Sequence, residues 1–175
     1  MKIIKTKFKD LTLYKKDTYK DNRGYFRELF LNKSLKKNFP FDVMSFSKKN
    51  VLRGLHLQLK RPQGKFVTVL RGKIFDVALD CRIRSKTYGK YFSVILSEKE
   101  NSSLFIPAGF AHGFCSLSEN TIMHYKCTDY RDSNSEVGIL WNDEELGIKW
   151  PIKNPILSKK DKTNILFKNF CKKDW

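Results

Sequence analysis

Beyond Pro40 the chain alternates short apolar runs with turn residues at close intervals. Residues 43–46, 51–57, 66–70, 74–79, 91–96, 104–106, 112–116 and 122–127 each read as a strand. They are punctuated by Arg71-Gly72-Lys73, Tyr88-Gly89-Lys90, Pro107-Ala108-Gly109 and Ser118-Glu119-Asn120. Short strands joined by such turns, with no helical crossovers between them, predict a mainly β domain built as a sandwich or barrel. Upstream, Ile3-Ile4, Leu11-Thr12-Leu13-Tyr14 and Tyr25-Phe26 are β-like, and Asp21-Asn22-Arg23-Gly24 is a turn. A short helix is predicted over 31–38, stopped at Phe39 because a residue before proline is pushed out of the helical region. Near the C-terminus, Asp143-Glu144-Glu145-Leu146 predicts one helical turn, and Ser158 caps a final helix running through Phe167. With no internal repeat and no low-complexity linker, residues 1–175 read as one domain.

Strand alternation sorts the polar side chains by face. In Ile74-Phe75-Asp76-Val77-Ala78-Leu79-Asp80, Phe75, Val77 and Leu79 form an apolar face while Asp76 and Asp80 point the other way. His112 shares a face with Phe114, and Tyr125 shares one with Met123 and Cys127, with His124 opposite. If these polar faces line the mouth of a barrel, they gather acid–base groups in a concave, partly apolar site. A structural pairing, in which Asp76 and His112 satisfy each other's hydrogen bonds, fits the pattern equally well.

The stretch Val51-Leu52-Arg53-Gly54-Leu55-His56-Leu57-Gln58, with Gln63-Gly64-Lys65 behind it, brings a histidine, an arginine and a lysine onto short β-type segments. Gly54 permits a bulge or a close backbone approach, and Lys65 can carry positive charge to an anion or a developing enolate. Strict alternation puts Arg53 and His56 on opposite faces. Both serve one site only if Gly54 breaks the register or Arg53 serves a neighbouring subunit.

A 41% hydrophobic fraction gives the chain enough apolar surface to fold, despite 30% charged residues. Lys+Arg 35 against Asp+Glu 18 leaves a net charge of +17, a balance that invites polyanionic partners. The lysines are scattered, however, in Lys15-Lys16, Lys36-Lys37, Lys48-Lys49, Lys159-Lys160 and Lys172-Lys173. Without a zinc-knuckle, helix-turn-helix or RNA-recognition signature, they read as a solvated surface, and no nucleic-acid partner is expected. Cys81, Cys115, Cys127 and Cys171 form no CxxC pair and read as reduced thiols of a cytoplasmic protein. No apolar run approaches the roughly 20 residues of a spanning helix, and the N-terminus lacks a signal-sequence core, so no membrane association is expected. Three histidines with no HxH pair argue against the clustered metal ligands that many β-barrels hold, so no metal is expected.

Taken together, the motifs resemble the dTDP-4-dehydrorhamnose 3,5-epimerase family, sugar-nucleotide epimerases with a cupin-like jelly roll. The stretches that carry the resemblance are Asp21-Asn22-Arg23-Gly24-Tyr25-Phe26-Arg27-Glu28, residues 51–58, Gln63-Gly64-Lys65 and residues 76–82. They continue with Ser85-Lys86-Thr87-Tyr88-Gly89, residues 106–114, Tyr125-Lys126, Trp141-Asn142-Asp143 and Leu157-Ser158-Lys159-Lys160-Asp161. They follow one another in family order over nearly the whole chain, which is far more specific than any one of them.

The resemblance implies a mainly β, cupin-like jelly roll with a few short helices. It also implies cofactor-independent epimerisation at C3 and C5 of a dTDP-4-keto-6-deoxyhexose. It assigns the general base to His56, oriented by Asp161, and the general acid on the other side of the sugar to Tyr125, with Lys65 stabilising the enolate. His112 with Asp76, and Arg23, Phe26, Glu28 and Arg53, match positions that line or support the pocket and hold the nucleotide diphosphate. A homodimer, with N-terminal strands pairing across the interface, is implied in the same way. One stretch departs from the pattern. Where the family usually carries a Gln-Asp-Asn-His-type segment that contributes to nucleotide binding, this chain reads Phe41-Asp42-Val43-Met44. A 3-epimerase of the same fold, and a non-catalytic cupin-like module binding nucleotides or nucleic acid, are the competing readings.

Overall fold

The computed structural model describes residues 2–170, so Met1, Cys171 and the Lys172-Lys173 pair lie outside the described residues. The strands in chain order are β1 (Lys2–Lys5), β2 (Thr12–Lys15), β3 (Thr18–Asp21), β4 (Gly24–Arg27), β5 (Phe41–Ser47), β6 (Leu52–Gln58) and β7 (Lys65–Arg71). They continue as β8 (Lys73–Asp80), β9 (Tyr91–Ser97), β10 (Ser102–Ile106), β11 (Phe110–Ser116), β12 (Thr121–Cys127) and β13 (Glu136–Gly138). Two sheets form a jelly-roll sandwich, one in the order β1-β2-β10-β7-β12-β5 and the other β13-β6-β11-β8-β9. The hairpin β3–β4 stands as a separate ribbon around the turn at Asp21 and Gly24.

Alternation gives each sheet an inner face. Val67, Val69, Leu104, Ile106 and Met123 from one sheet meet Ile74, Ala78, Leu96, Phe110 and Phe114 from the other. Apart from Ala78, each of these buried side chains contributes about 1.5–3 kcal/mol of hydrophobic stabilisation. The opposite face of the five-stranded sheet is also apolar. Leu55, Leu57, Val77, Leu79 and Ala111 lie there under Ile139, Leu146, Phe167 and Phe170 of the C-terminal segment. This two-sided burial explains the near-continuous apolar character of β8 and β11.

The helical segments are shorter than the sequence predicts. Residues 31–38 make only a 3-10 turn, Asn32–Ser34. Leu31 offers no side-chain cap there, and Lys36 sits at φ 48°, a conformation that ends a helix. Residues 143–146 form a single turn closed by Gly147 N–H donating to the Asp143 carbonyl at 3.2 Å. The final helix splits into α1 (Lys159–Lys162) and α2 (Phe167–Phe170). Between them Ile165 forms a β-bridge to Ile139, a tertiary pairing that overrides the local helical pattern. Among the described residues no helix is long and apolar enough to cross a membrane.

At the end of β8, buried Asp80 organises the connection to β9. Its carboxylate accepts from Arg82 Nε and Nη2 at 2.8 Å each, and from the Ser85 and Thr87 hydroxyls at 2.6 Å each. Burial pushes this carboxyl up, but the bonds from Arg82, Ser85 and Thr87 outweigh it and leave the pKa below the usual value. Asp80→Asn is expected to cost about 2–4 kcal/mol, less than a fully buried pair because Arg82 keeps 24% side-chain exposure. The Asp80 contribution is complete above the unfolded-state pKa near 3.9 and is lost as pH falls through the lower folded value. Urea titrations of both proteins across that acid range should therefore converge toward low pH.

Candidate active site

At one end of the sandwich the two sheets part around a cleft of about 510 Å³. Strands β5, β7 and β12 supply one wall, and β6, β11, β13 and α1 the other. Arg53 and His56 both line it, because Gly54 breaks the register of β6. His112 pairs with His56 and Phe114 with Arg53, so three residue steps on β6 span two on β11. Gly54 has φ +112°, and a Cβ there would lie 2.5 Å from the His112 carbonyl oxygen and 2.6 Å from Gly113 Cα. Only glycine fits such a close crossing of backbones.

The bulge leaves the Gly54 peptide groups to partners outside the ladder. The Gly54 N–H donates to Asp161 Oδ1 at 3.4 Å, and its carbonyl accepts from Asn164 Nδ2 at 3.5 Å. Both partners sit on the C-terminal segment, which bridges to Val51 through Ile156 and to Ile139 through Ile165. Anchored on both sides, that segment presents α1 to the cleft. Ser158 caps α1 by accepting from the Asp161 N–H at 3.0 Å, while its hydroxyl donates to Asp161 Oδ2 at 2.7 Å.

Asp161 Oδ1 lies 2.7 Å from His56 Nε2. Burial pushes the Asp161 carboxyl up, but bonds from His56, Ser158 and Gly54 more than offset this and hold it below its ordinary value. A second imidazole–carboxylate pair stands alongside, with His112 Nε2 at 2.8 Å from the fully buried Asp76 Oδ2. The structural pairing foreseen for Asp76 and His112 is thus present, and His112 also lines the cleft.

Tyr125 enters from the opposite sheet. Its hydroxyl is 3.1 Å from Ser45 Oγ, and its ring centroid is 6.2 Å from that of His112. Burial is the main force raising its phenol pKa, reinforced by the Asp76 carboxylate and opposed by the Ser45 bond and the Arg53 charge. Lys65, cross-strand from Cys127, is shifted the other way. Burial lowers its ammonium pKa, against the pull of Cys127, Glu136 and Asp76. The Cys127 thiol is itself pushed up by burial to about 11, which keeps it protonated and unreactive.

The model of the dTDP-4-dehydrorhamnose 3,5-epimerase family matches residues 5–169. The chain belongs to this family. A dTDP-4-dehydrorhamnose 3,5-epimerase of Shigella flexneri is 44% identical over 168 residues, covering 92% of this chain and 93% of that one. A crystal structure of the enzyme from Bacillus anthracis, with TDP and PPi bound, superposes with a TM-score of 0.91 at 40% identity, covering 94% of this chain and 98% of that chain. The epimerase of Legionella pneumophila, in complex with dTDP-4-keto-L-rhamnose, gives 0.90 at 42% identity, covering 94% and 92%. As a member of the dTDP-4-dehydrorhamnose 3,5-epimerase family this chain is an isomerase with a cupin-like β fold.

The structure brings His56, Asp161, Tyr125, Lys65, Arg53, His112 and Asp76 to one end of the sandwich. It does not bring Arg23, Phe26 or Glu28 there. Arg23 is paired with Asp21 at 2.6 Å in the exposed β3–β4 turn, Phe26 is 66% exposed on β4, and Glu28 follows in the open. The sequence reading missed Glu136, whose carboxylate accepts from Lys160 Nζ at 2.6 Å and Arg131 Nε at 3.3 Å on the cleft wall. The only signal for it is an acidic residue directly before Val137-Gly138-Ile139-Leu140, a run short enough to pass for a loop. Gly54→Ala should cost at least about 2 kcal/mol, through left-handed strain and the clash with β11. Chemical denaturation measures that loss. A stability within about 0.5 kcal/mol of the parent would show that the crossing is not tight.

Proposed function

We propose that this chain inverts C3 and C5 of a dTDP-4-keto-6-deoxyhexose by proton transfer through an enolate. The observation that carries the reading is the convergence of His56–Asp161, the Tyr125 phenol and the Lys65 ammonium on one cleft. Protons on C3 and C5 are acidified by the C4 carbonyl between them. An ionised Asp161 can only accept, so the shared proton sits on His56 Nε2 and leaves the Nδ1 lone pair as the base. As Nδ1 takes the carbon-bound proton, the electron pair moves to the carbonyl oxygen, and the Lys65 ammonium balances the enolate charge. Tyr125, kept protonated by its burial, returns a proton to the carbon from the other face, and the configuration inverts. Asp161 stabilises the imidazolium until His56 returns that proton to solvent, and the Tyr125 phenolate takes one back from solvent before the second carbon reacts. Arg53 on the rim is suited to the diphosphate of the substrate.

His56→Ala is expected to lower solvent-deuterium incorporation at both carbons by about 10²- to 10⁴-fold. Tyr125→Phe should instead uncouple the steps, keeping exchange while losing inversion, as read by NMR of the recovered sugar. Incorporation at C3 alone in the parent would reassign the chain as a 3-epimerase. None at either carbon, with folded protein, would falsify the reading.

We further infer a homodimer in which the β3–β4 ribbon of one copy reaches the cleft of the other, supported by the exposure of Arg23, Phe26 and Glu28 away from their own cleft. Mixing an inactive His56→Ala chain with an inactive Arg23→Ala/Phe26→Ala chain should then restore activity, because a mixed dimer holds one intact site. Sedimentation as a monomer, or no rescue on mixing, would count against it.

A further inference from the structure

Away from the cleft lies a second cavity, of about 450 Å³, that shares no lining residue with it. Its wall carries Lys7, Lys9, Arg82, Arg84 and Lys86, the hydroxyls of Ser85 and Thr87, and no carboxylate. We propose that this cavity binds a condensed phosphate, the di- or triphosphate group of a small molecule.

The charge arithmetic is local. Asp80 lies beneath the cavity with its carboxylate taken up by Arg82, Ser85 and Thr87, so its negative charge offsets Arg82. Lys7, Lys9, Arg84 and Lys86 remain, and among the described residues none of them forms an ion pair with a carboxylate. Asp10, whose charge also reaches Arg82, offsets part of this, and the excess of cations that remains around one concavity matches a ligand carrying several phosphate charges, since a single phosphate brings only about −1.5 to −2. The volume falls within the roughly 300–1,000 Å³ of small-ligand pockets.

The wall is also held in place before any ligand arrives. The Arg82 guanidinium lies over the Phe110 ring at 4.4 Å, and its Nη1 donates to the Lys9 carbonyl at 3.2 Å. Its aliphatic stem fills the space in front of Gly109, where a Cβ would sit 2.5 Å from Arg82 Cγ. Between Lys7 and Lys9, Phe8 is buried edge-on against Phe92 and Phe110, with centroids at 6.2 Å in both cases. The two lysines are therefore carried on a fixed backbone, which reduces the ordering cost of binding. Arg84 and Lys86 sit on the loop that Asp80 braces. The wall has no aromatic side chain on which bases could stack, which favours a compact phosphate chain over single-stranded nucleic acid.

The test is titration calorimetry of the full chain with inorganic tripolyphosphate, pyrophosphate and orthophosphate at two salt concentrations, read beside amide NMR shifts. Expected is saturable, salt-sensitive tripolyphosphate binding, about tenfold or more tighter than orthophosphate, that shifts the amides of residues 7–9 and 82–87. The combined variant K9Q/R84Q/K86Q should weaken it by about tenfold or more, with melting temperature and epimerase turnover unchanged. Tripolyphosphate binding that the variant leaves intact, or none that reaches these amides, would overturn the proposal. So would an oligonucleotide that binds tighter than tripolyphosphate at equal salt and is lost in the variant, since the surface would then be a nucleic-acid face.

Discussion

Gly54 lies against the β11 backbone at a distance no side chain could share, and this crossing sets the geometry of the cleft. A regular β6 would turn Arg53 away from His56. The extra residue at the bulge brings both to one side and frees a peptide N–H and a carbonyl from the ladder. Buried peptide groups need partners, and here the partners come from the C-terminal segment, Asp161 for one and Asn164 for the other. The same Asp161 oxygen that receives the Gly54 N–H faces His56 Nε2. Backbone satisfaction and imidazole orientation are thus one interaction, and the anchoring of the segment at Ile156 and Ile165 serves both.

Burial acts differently on each group in the cleft, and the differences are what chemistry there can use. It raises the Tyr125 phenol, which stays protonated, and draws the Lys65 ammonium down against the opposing pull of Cys127, Glu136 and Asp76. At Asp161 the same desolvation is outweighed by three hydrogen-bond donors, so the carboxylate stays charged where it meets the imidazole. Arg53, Lys65, Arg131 and Lys160 stand against Asp76, Glu136 and Asp161, so the site is close to internally balanced. The large positive charge of the chain is therefore a property of its outer surface rather than of this cleft.

The strands beyond Pro40 were legible because alternation and turn chemistry are local, and every one predicted there is present. Strand faces pose the pairing of Asp76 with His112 as one of two equal readings, and the structure shows the pair with His112 also on the cleft wall. The Arg53 question could be posed but not answered from sequence, since a bulge depends on how closely β11 approaches and on what receives the freed peptide groups. Helix ends depart from the local pattern where tertiary pairing wins, most clearly at Ile165, which bridges to Ile139. Glu136 was invisible because β13 is three residues long and takes its register from β6. Arg23, Phe26 and Glu28 follow from resemblance, and among the described residues no contact within one chain gives them a place in the cleft.

The departure at Phe41-Asp42-Val43-Met44 now has a physical form. Phe41 and Val43 face the cleft from β5, and the Phe41 ring sits 6.0 Å from Tyr130, which in turn lies beneath Arg61 at 5.8 Å. Phe41 and Val43 offer contact area but no hydrogen-bond donor or acceptor from their side chains. Apolar walls discriminate between similar ligands by only about 10- to 200-fold, whereas buried polar groups that must be matched reach about 10⁴ to 10⁵. Selectivity for whatever packs on this wall must then come from polar groups elsewhere in the cleft. Gln63 is one candidate by position, lining the cleft while its amide donates to the Asp129 carbonyl at 2.6 Å beside the same tyrosine. The Asp129 carboxylate also holds Arg61 over that ring, so one residue fixes Gln63 through its backbone carbonyl and Arg61 through its side chain.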